Sequence, residues 1–393
     1  DEENGGFYGR VDRNLNPDAG APKSAVLNTR MLWAYSNAYN VLGDEKCKLL
    51  AERSFEYLRD HFWDKEYGGI YWTVGPKGDP FDVIKRTYAQ ASIIYSMSQY
   101  YLISKDSQAL DMALKTYELV CNNVKYQNGG YGDAVHRNWS SDPWVLKWYM
   151  NGDGAPKLLN SHLHLFESMA LLYKVTQKEE IKKELKEFLE FLLDTCIDYD
   201  INHLKAGMDM EGNRIDNEIS YGHDLECAYL MIDAAQQIAD PQLIERTKNT
   251  VLKMVRTVLE EGMDQQNGGL FYEKNLATGK YTKSKIWWAQ CEAITGFLCA
   301  YELSGDEKFL DAAIDVWSYT DKNIVDHEKG EWRGIGLNDI VDEELIASDR
   351  ALFEVVGDEK ANKTKCPYQP CCLPKGCKGL VRQRLRGDRG LNV

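Results

Sequence analysis

Apolar residues recur along this chain at helical spacing, and the same order of elements appears five times. A helix-period run comes first, then a short turn rich in Asp, Glu and Lys, then a second helix-period run, then a turn or hairpin marked by Gly. The first runs open near SAVLNTRMLWAYSNAY (Ser24 to Tyr39), RTYAQASIIY (Arg86 to Tyr95), NSHLHLFE (Asn160 to Glu167), SYGHDLECAYL (Ser220 to Leu230) and KIWWAQCEA (Lys285 to Ala293). The intervening turns lie near Gly43, Lys105, Lys178, Asp240 and Asp306, a period of 60 to 75 residues. The Gly marks are NGGFYG (Asn4 to Gly9), YGGIYW (Tyr67 to Trp72), NGGYGD (Asn128 to Asp133), NGGLFY (Asn267 to Tyr272) and KGEWRG (Lys329 to Gly334), with a degenerate member around Ala206 to Gly212. Gly-Gly supplies positive φ, and the aromatic alternation after it suits a short strand or hairpin. The pattern predicts ten helices in five antiparallel pairs. Completed to six pairs it is an all-α (α/α)6 barrel with short β-hairpins in its connecting loops.

The repeats tile nearly the whole chain without a Pro/Ser-rich linker, so one domain over residues 1–368 is expected, followed by an atypical tail, 369–393. The plan calls for a helix before NGGFYG, yet the chain opens on Asp1 without Met, so that helix is expected to be missing. A twelfth helix is expected after KCPY (Lys365 to Tyr368), where the sequence turns rich in Pro, Gly, Cys and Arg instead. Losing both would leave apolar helix faces wet and the chain marginally stable.

Counting back from each turn, Arg30, Tyr88, Asn160 with His164, His223 and Trp288 all fall 13 to 18 residues before it. At about 1.5 Å per residue, that places every one near the N-terminal end of a first helix. Parallel helices in a closed ring would point these side chains into one mouth. Asn160 and His164 are four apart and so share a face, with Glu167 one turn on; His223 and Glu226 are three apart. A lone His on an amphipathic helix is usually a satisfied core group, but two such pairs at equivalent places mark a site. His162, two residues from His164, faces away, and His61, His136, His203 and His327 fall in second helices or connections. Arg30, in an otherwise apolar helix, suits either an ion pair or a fork of donors for sugar hydroxyls. Trp287 and Trp288 adjoin, so only one can point fully inward, as a stacking platform for a pyranose ring. Tyr88 is placed to orient a hydroxyl.

A net charge of -14 without a basic stripe argues against nucleic acid or an anionic membrane as partner and suits a neutral small ligand. No apolar run is long enough to span a bilayer and no signal pattern opens the chain, so a cytoplasmic monomer is expected. With no signal, the sequons at Asn138 and Asn362 are read as chance. Cys47, Cys121, Cys196, Cys227, Cys291 and Cys299 are scattered singly and read as small buried hydrophobes. Cys366, Cys371, Cys372 and Cys377 crowd the tail, without a His and at no common zinc spacing, so no metal is expected. No nucleotide fingerprint, P-loop, HExxH or GxSxG occurs, and no cofactor is expected.

Together ENGGFYG, NTRMLWAYSNAY, RTYAQA, NSHLHLFE, SYGHDLE, IWWAQCEA and KCPY, in this order, resemble the cellobiose 2-epimerase branch of the N-acylglucosamine 2-epimerase superfamily. The resemblance covers residues 1 to about 368. It implies an (α/α)6 barrel that interconverts glucose and mannose at the reducing end of β-1,4-linked disaccharides without a cofactor. By motif, Arg30, Tyr88, Asn160, Trp287 and Trp288 contact the disaccharide. His164 helps open the ring, His223 is one acid/base, and Glu226 supports it. The chemistry agrees: once the ring is open, the C2 proton is α to an aldehyde. Its removal gives a cis-enediolate, and its return to the other face inverts C2. That needs two acid/base groups near operating pH and donors for the oxyanion.

One departure stands out. The family continues KCPY with His-Asn, and that His is the second acid/base; here Gln369 and Pro370 follow Tyr368. A back-translation of Gln369 onward, shifted by one base, reads Asn-Arg-Ala-Ala-Tyr-Leu-Lys-Val-Val, a family-like helix, which is compatible with a frameshift near Tyr368. The stretch from Asn338 to Lys363 also aligns poorly. Two alternatives stay open. An (α/α)6 glycoside hydrolase would draft Asp224, Glu226 and Glu292 as carboxylates, and a catalytically impaired sugar-binding barrel would follow from Gln369.

Overall fold

The computed structural model describes residues 1–12, 14–141, 155–328, 330, 332–336 and 359–361. Ten helices lie among them: α1 (Ala25–Leu42), α2 (Glu45–Tyr57), α3 (Thr87–Ser104), α4 (Ser107–Asn123), α5 (Leu159–Thr176), α6 (Glu179–Phe191), α7 (Tyr221–Ile238), α8 (Pro241–Glu261), α9 (Trp287–Ser304) and α10 (Glu307–Asn323). The all-α expectation holds, with strands of two or three residues in the connections. Two compact units contain them. One takes in Asp1–Cys196 with Lys205–Asp216 and carries α1 to α6; the other takes in Ile197–Leu204 and the chain from Asn217 through α10.

The five pairs are built alike. Each first helix (α1, α3, α5, α7, α9) is 18 residues long and ends on a left-handed residue: Gly43, Lys105, Gln177, Ala239 or Gly305. That residue donates its N–H back to the carbonyl four positions earlier and stops the helix. The turn is then so short that the second helix must run back along the first. Asp44, Asp106, Asp240 and Asp306 cap the second helices α2, α4, α8 and α10 with their carboxylates. Second helices bury one stripe, such as Ile181, Leu185, Phe188 and Leu189 on α6. The first helices α3, α5, α7 and α9 are covered almost all round, and from Thr87 to Tyr100 of α3 only Tyr88 is not buried, whereas α1 is buried mainly over its first eight residues.

What fixes the N-terminal ends of the first helices is a device the apolar pattern does not show. Residue four of each carries a polar side chain that holds the preceding hairpin by its backbone. Asn28 accepts from the Phe7 N–H, Gln90 from Ile70, His162 from Tyr131, Asp224 from Leu204 and Gln290 from Leu270. Gln90 and Gln290 also donate back to the same residue's carbonyl. In four of these hairpins the gripped residue follows a Gly-Gly pair in which both residues have positive φ. A Cβ on Gly69 would sit 2.6 Å from Gln90 Oε1, so only glycine admits the grip there. The degenerate member therefore lies at Asn202–Leu204, with Asn202 at φ 54°, rather than around Ala206 to Gly212. Asn tolerates this conformation, which is why the Gly-Gly mark is lost there. The hairpin that follows closes the same ends: the N–H groups of Ala25, Thr87, Leu159 and Trp287 donate to Trp72, Asp133, Ala206 and Gly334 carbonyls.

Two residues before α1, α3, α5 and α9 stands a buried lysine: Lys23, Lys85, Lys157 or Lys285. Lys85 meets Asp64 at 3.0 Å with both side chains fully buried, and Lys285 meets Asp264 at 2.8 Å. Burial works against the Asp64 carboxylate, but hydrogen bonds from Arg137 and Lys85 outweigh it and hold its pKa well below the usual range. Burial pulls Lys85 down to about 8. Each of these Asp side chains also caps the turn that leads into its Gly-Gly pair.

His162 is the one titratable exception in the residue-four slot that carries no carboxylate. Its Nε2 accepts from Tyr131, which fixes Nδ1–H as donor to the Leu158 carbonyl, and burial pushes its pKa down to about 4. An unfolded chain takes up this proton near pH 6.5, the folded one only near 4. Stability therefore falls as pH drops through that window, by about 3 kcal/mol. His162→Gln, the solution used by Gln90 and Gln290, is expected to fold and to remove that share of the acid loss. Urea midpoints of both proteins between pH 7 and 4.5 check this; equal losses would refute it.

Three cysteines, Cys196, Cys227 and Cys299, are buried as expected, whereas Cys47, Cys121 and Cys291 are half-buried. No helix among the described residues is long and apolar enough to cross a membrane. Tyr368, Gln369, Asn362 and the four tail cysteines lie outside the described residues, as does most of Asn338 to Lys363.

Candidate active site

In the first unit, three of the expected residues come into contact. Arg30, sixth residue of α1, donates from Nη2 to the Tyr88 hydroxyl at 2.6 Å. The Tyr88 ring, at the second position of α3, meets the His164 ring edge-on at 4.4 Å and 89°. His164, sixth in α5, is buried and has Nδ1 3.6 Å from Glu167 Oε2, one turn along. Burial lowers its pKa and the Arg30 charge adds to this, against the pull of Glu167. The imidazole is therefore neutral at neutral pH and can take or give a proton. Asn160, second in α5, is exposed at the helix end. Tyr88 is half-buried, so this unit presents a phenol, an amide, a guanidinium and a neutral imidazole along the N-terminal ends of three neighbouring helices.

In the second unit, His223 is the third residue of α7 and half-buried. Its Nδ1 lies 2.8 Å from Ser220 Oγ, and its ring is 4.8 Å from the Trp288 ring at 52°. Trp288 opens α9 at its second position and rests edge-on against Tyr272 at 5.9 Å. Of the two adjoining tryptophans, Trp287 is buried and Trp288 is the half-exposed one. Gly222 explains the fit: a Cβ there would come within 2.7 Å of the Trp288 ring. Glu226, sixth in α7, is buried one turn below His223. Glu292, sixth in α9, accepts from the Tyr229 hydroxyl at 2.7 Å.

Sixth positions thus carry Arg30, His164, Glu226 and Glu292, and second positions carry Tyr88, Asn160, Gly222 and Trp288. Periodicity alone could have found this register. It missed Ser220 and Tyr272, which sit in connections where no helical count applies. Asp224 is not available for chemistry: it is buried, accepts from Leu204 N–H at 2.9 Å and faces His203 Nδ1 at 2.6 Å. Burial opposes charge on His203, but the Asp224 charge and hydrogen bond outweigh it and raise its pKa.

The chain belongs to the N-acylglucosamine 2-epimerase family, whose model matches residues 6–355, and is a carbohydrate epimerase. It is 32% identical over 369 residues to a cellobiose 2-epimerase of Bacteroides fragilis, covering 94% of this chain and 90% of that protein. A Ruminococcus albus cellobiose 2-epimerase is 37% identical over 334 residues, covering 84% of each. The solved cellobiose 2-epimerase of Bacillus thermoamylovorans superposes with a TM-score of 0.85 at 30% identity, over 98% of this chain and 94% of that one.

Proposed function

We propose that this chain epimerises C2 of the reducing-end sugar of β-1,4-linked disaccharides, converting cellobiose to glucosyl-mannose through an open-chain cis-enediolate. The observation that carries the reading is His223, a half-exposed imidazole clasped between Ser220 and Trp288 at a helix end. The relatives named above support the substrate class.

His164, neutral at working pH, moves the proton that opens the pyranose ring and exposes the aldehyde. The C2–H bond is then acidified by the carbonyl, and His223 takes its proton while the electron pair spreads over C1, C2 and O1. Arg30 and Tyr88 donate to the developing oxyanion, and Glu226 supports the imidazole's charge. Trp288 stacks on a sugar ring, with Trp287 buried beside it in the chain, and Asn160 binds a hydroxyl. Return of the proton from the opposite face inverts C2. By the family resemblance the group serving that face is the residue at position 369, His in the family and Gln here.

Hydrolysis is the weaker reading because Asp224 is buried and doubly engaged. Incubation with cellobiose followed by mass spectrometry separates the two: epimerisation keeps the disaccharide mass, hydrolysis yields monosaccharides. A product of monosaccharide mass would end the epimerase reading.

The Gln369 substitution favours a second reading, a barrel that binds disaccharide and turns it over poorly. Gln cannot carry a proton at neutral pH, so Gln369→His is expected to raise turnover by about 10²-fold or more. Equal turnover in both proteins, read as glucosyl-mannose formed per enzyme, would remove position 369 from the mechanism.

A further inference from the structure

We infer that Ser220 is a positioning residue that fixes the tautomer of His223, accepting from its Nδ1–H so that Nε2 exchanges the proton at substrate C2. The inference rests on the function proposed above. Its ground is a comparison within the repeat. Ser220 and Ser24 both occupy the position just before a first helix. Ser24 does what serine ordinarily does there: its Oγ accepts from the Leu27 N–H, three residues on, at 3.1 Å. Ser220 makes no such bond to α7, and its Oγ lies instead 2.8 Å from Nδ1 of His223, also three residues on. The hydroxyl has exchanged a backbone partner for an imidazole.

The surroundings hold that exchange in place. Ser220 is buried, its backbone is in register with Glu273 in an antiparallel pair, and Trp288 packs on the imidazole's ring. A hydroxyl can either donate or accept, so geometry alone allows two tautomers. Proton exchange decides between them. With Nδ1–H donating to Oγ, Nε2 holds the lone pair that takes the C2 proton, and the Nδ1–H bond to Oγ persists in the imidazolium. The C–H electron pair stays with the enediolate; Nε2 then exchanges its proton with solvent or gives it back to the same face without inversion, while inversion takes a proton delivered from the opposite face. With the hydroxyl donating instead, Nε2 would already be protonated and the ring could not begin as a base.

The test uses the full chain carrying Gln369→His, labelled with 15N-histidine. Nitrogen shifts of His223 are expected to show Nδ1 protonated and Nε2 bare in the neutral ring, and a mixture of tautomers in Ser220→Ala. In the same variant, C2 exchange at saturating cellobiose is expected to fall about 10- to 100-fold, by analogy with the loss when the hydrogen-bond partner that orients a metal-bound imidazole is removed, with KM little changed. Ser220→Thr, which keeps the hydroxyl, is expected to restore both readouts. Ser24→Ala is expected to lower the melting temperature more than Ser220→Ala does, since only Ser24 caps its helix. An unchanged tautomer in Ser220→Ala overturns the inference whatever the activity. Absence of C2 exchange in every variant, with the tautomer shift intact, would instead count against the proposed function and leave the role of Ser220 in holding the ring.

Discussion

Replacing His223 with alanine is expected to slow C2 proton exchange by 10²–10⁴-fold while leaving the fold intact. The side chain is half-exposed and lies against a hydroxyl and an indole face, so its loss opens no large core cavity. Loss of the proton carrier, in contrast, leaves the C2–H bond without a base. The rate is read by proton NMR in the Gln369→His background, and the fold by a thermal melt of the same sample. A variant that keeps most of its exchange rate would take His223 out of the mechanism. One that fails to fold would show that the residue is structural.

The largest effect on stability is expected at Asp64. Its carboxylate accepts from Lys85 Nζ at 3.0 Å and from Arg137 at 2.9 and 3.0 Å, and it caps the turn before Gly68. Asp64→Ala strands a fully buried ammonium, and removing one partner of such a pair costs about 3–5 kcal/mol. Against a net stability of roughly 5–15 kcal/mol, that is enough to leave a sizeable unfolded fraction. Chemical denaturation measures it. The double variant Asp64→Leu with Lys85→Met is expected to recover much of the loss, because it removes the stranded charge as well. A double variant no better than Asp64→Ala would show that the turn cap, not the ion pair, dominates.

The order of helices was legible because two different burial patterns repeat. Second helices carry one apolar stripe, four of the five first helices are buried nearly all round, and the boundaries between them fall at Gly43 and Gly305 or at the Asp106 and Asp240 caps, with only the Gln177–Lys178 turn lacking either mark. The hairpins were legible wherever Gly-Gly marks them. The degenerate one was misplaced because Asn202 does alone what two glycines do elsewhere. The residue-four clamps were not legible, since Asn28, Gln90, His162, Asp224 and Gln290 share a task but not a side-chain type. The buried lysines were hidden for another reason: a Lys reads as surface until its carboxylate partner, about 20 residues away in the case of Asp64 and Lys85, is brought to it. Motif and helix position singled out Arg30, Tyr88, Asn160, His164, His223, Glu226, Trp287 and Trp288, and the structure places all eight within the first six residues of first helices, with Trp287 buried. Ser220 escaped because a serine before a helix already has an ordinary explanation.

Proton exchange at C2 tests the epimerase account most directly. Cellobiose is incubated in D2O with the chain and with its Gln369→His variant, and the C2 position of recovered substrate and product is followed by NMR. Deuterium is expected at C2 with both proteins, in glucosyl-mannose as the main product of the variant, and in neither disaccharide once His223 is alanine. Glucosyl-mannose that carries only protium at C2, with protium also retained in the recovered cellobiose throughout the reaction, would contradict proton transfer by a solvent-exchanging imidazole.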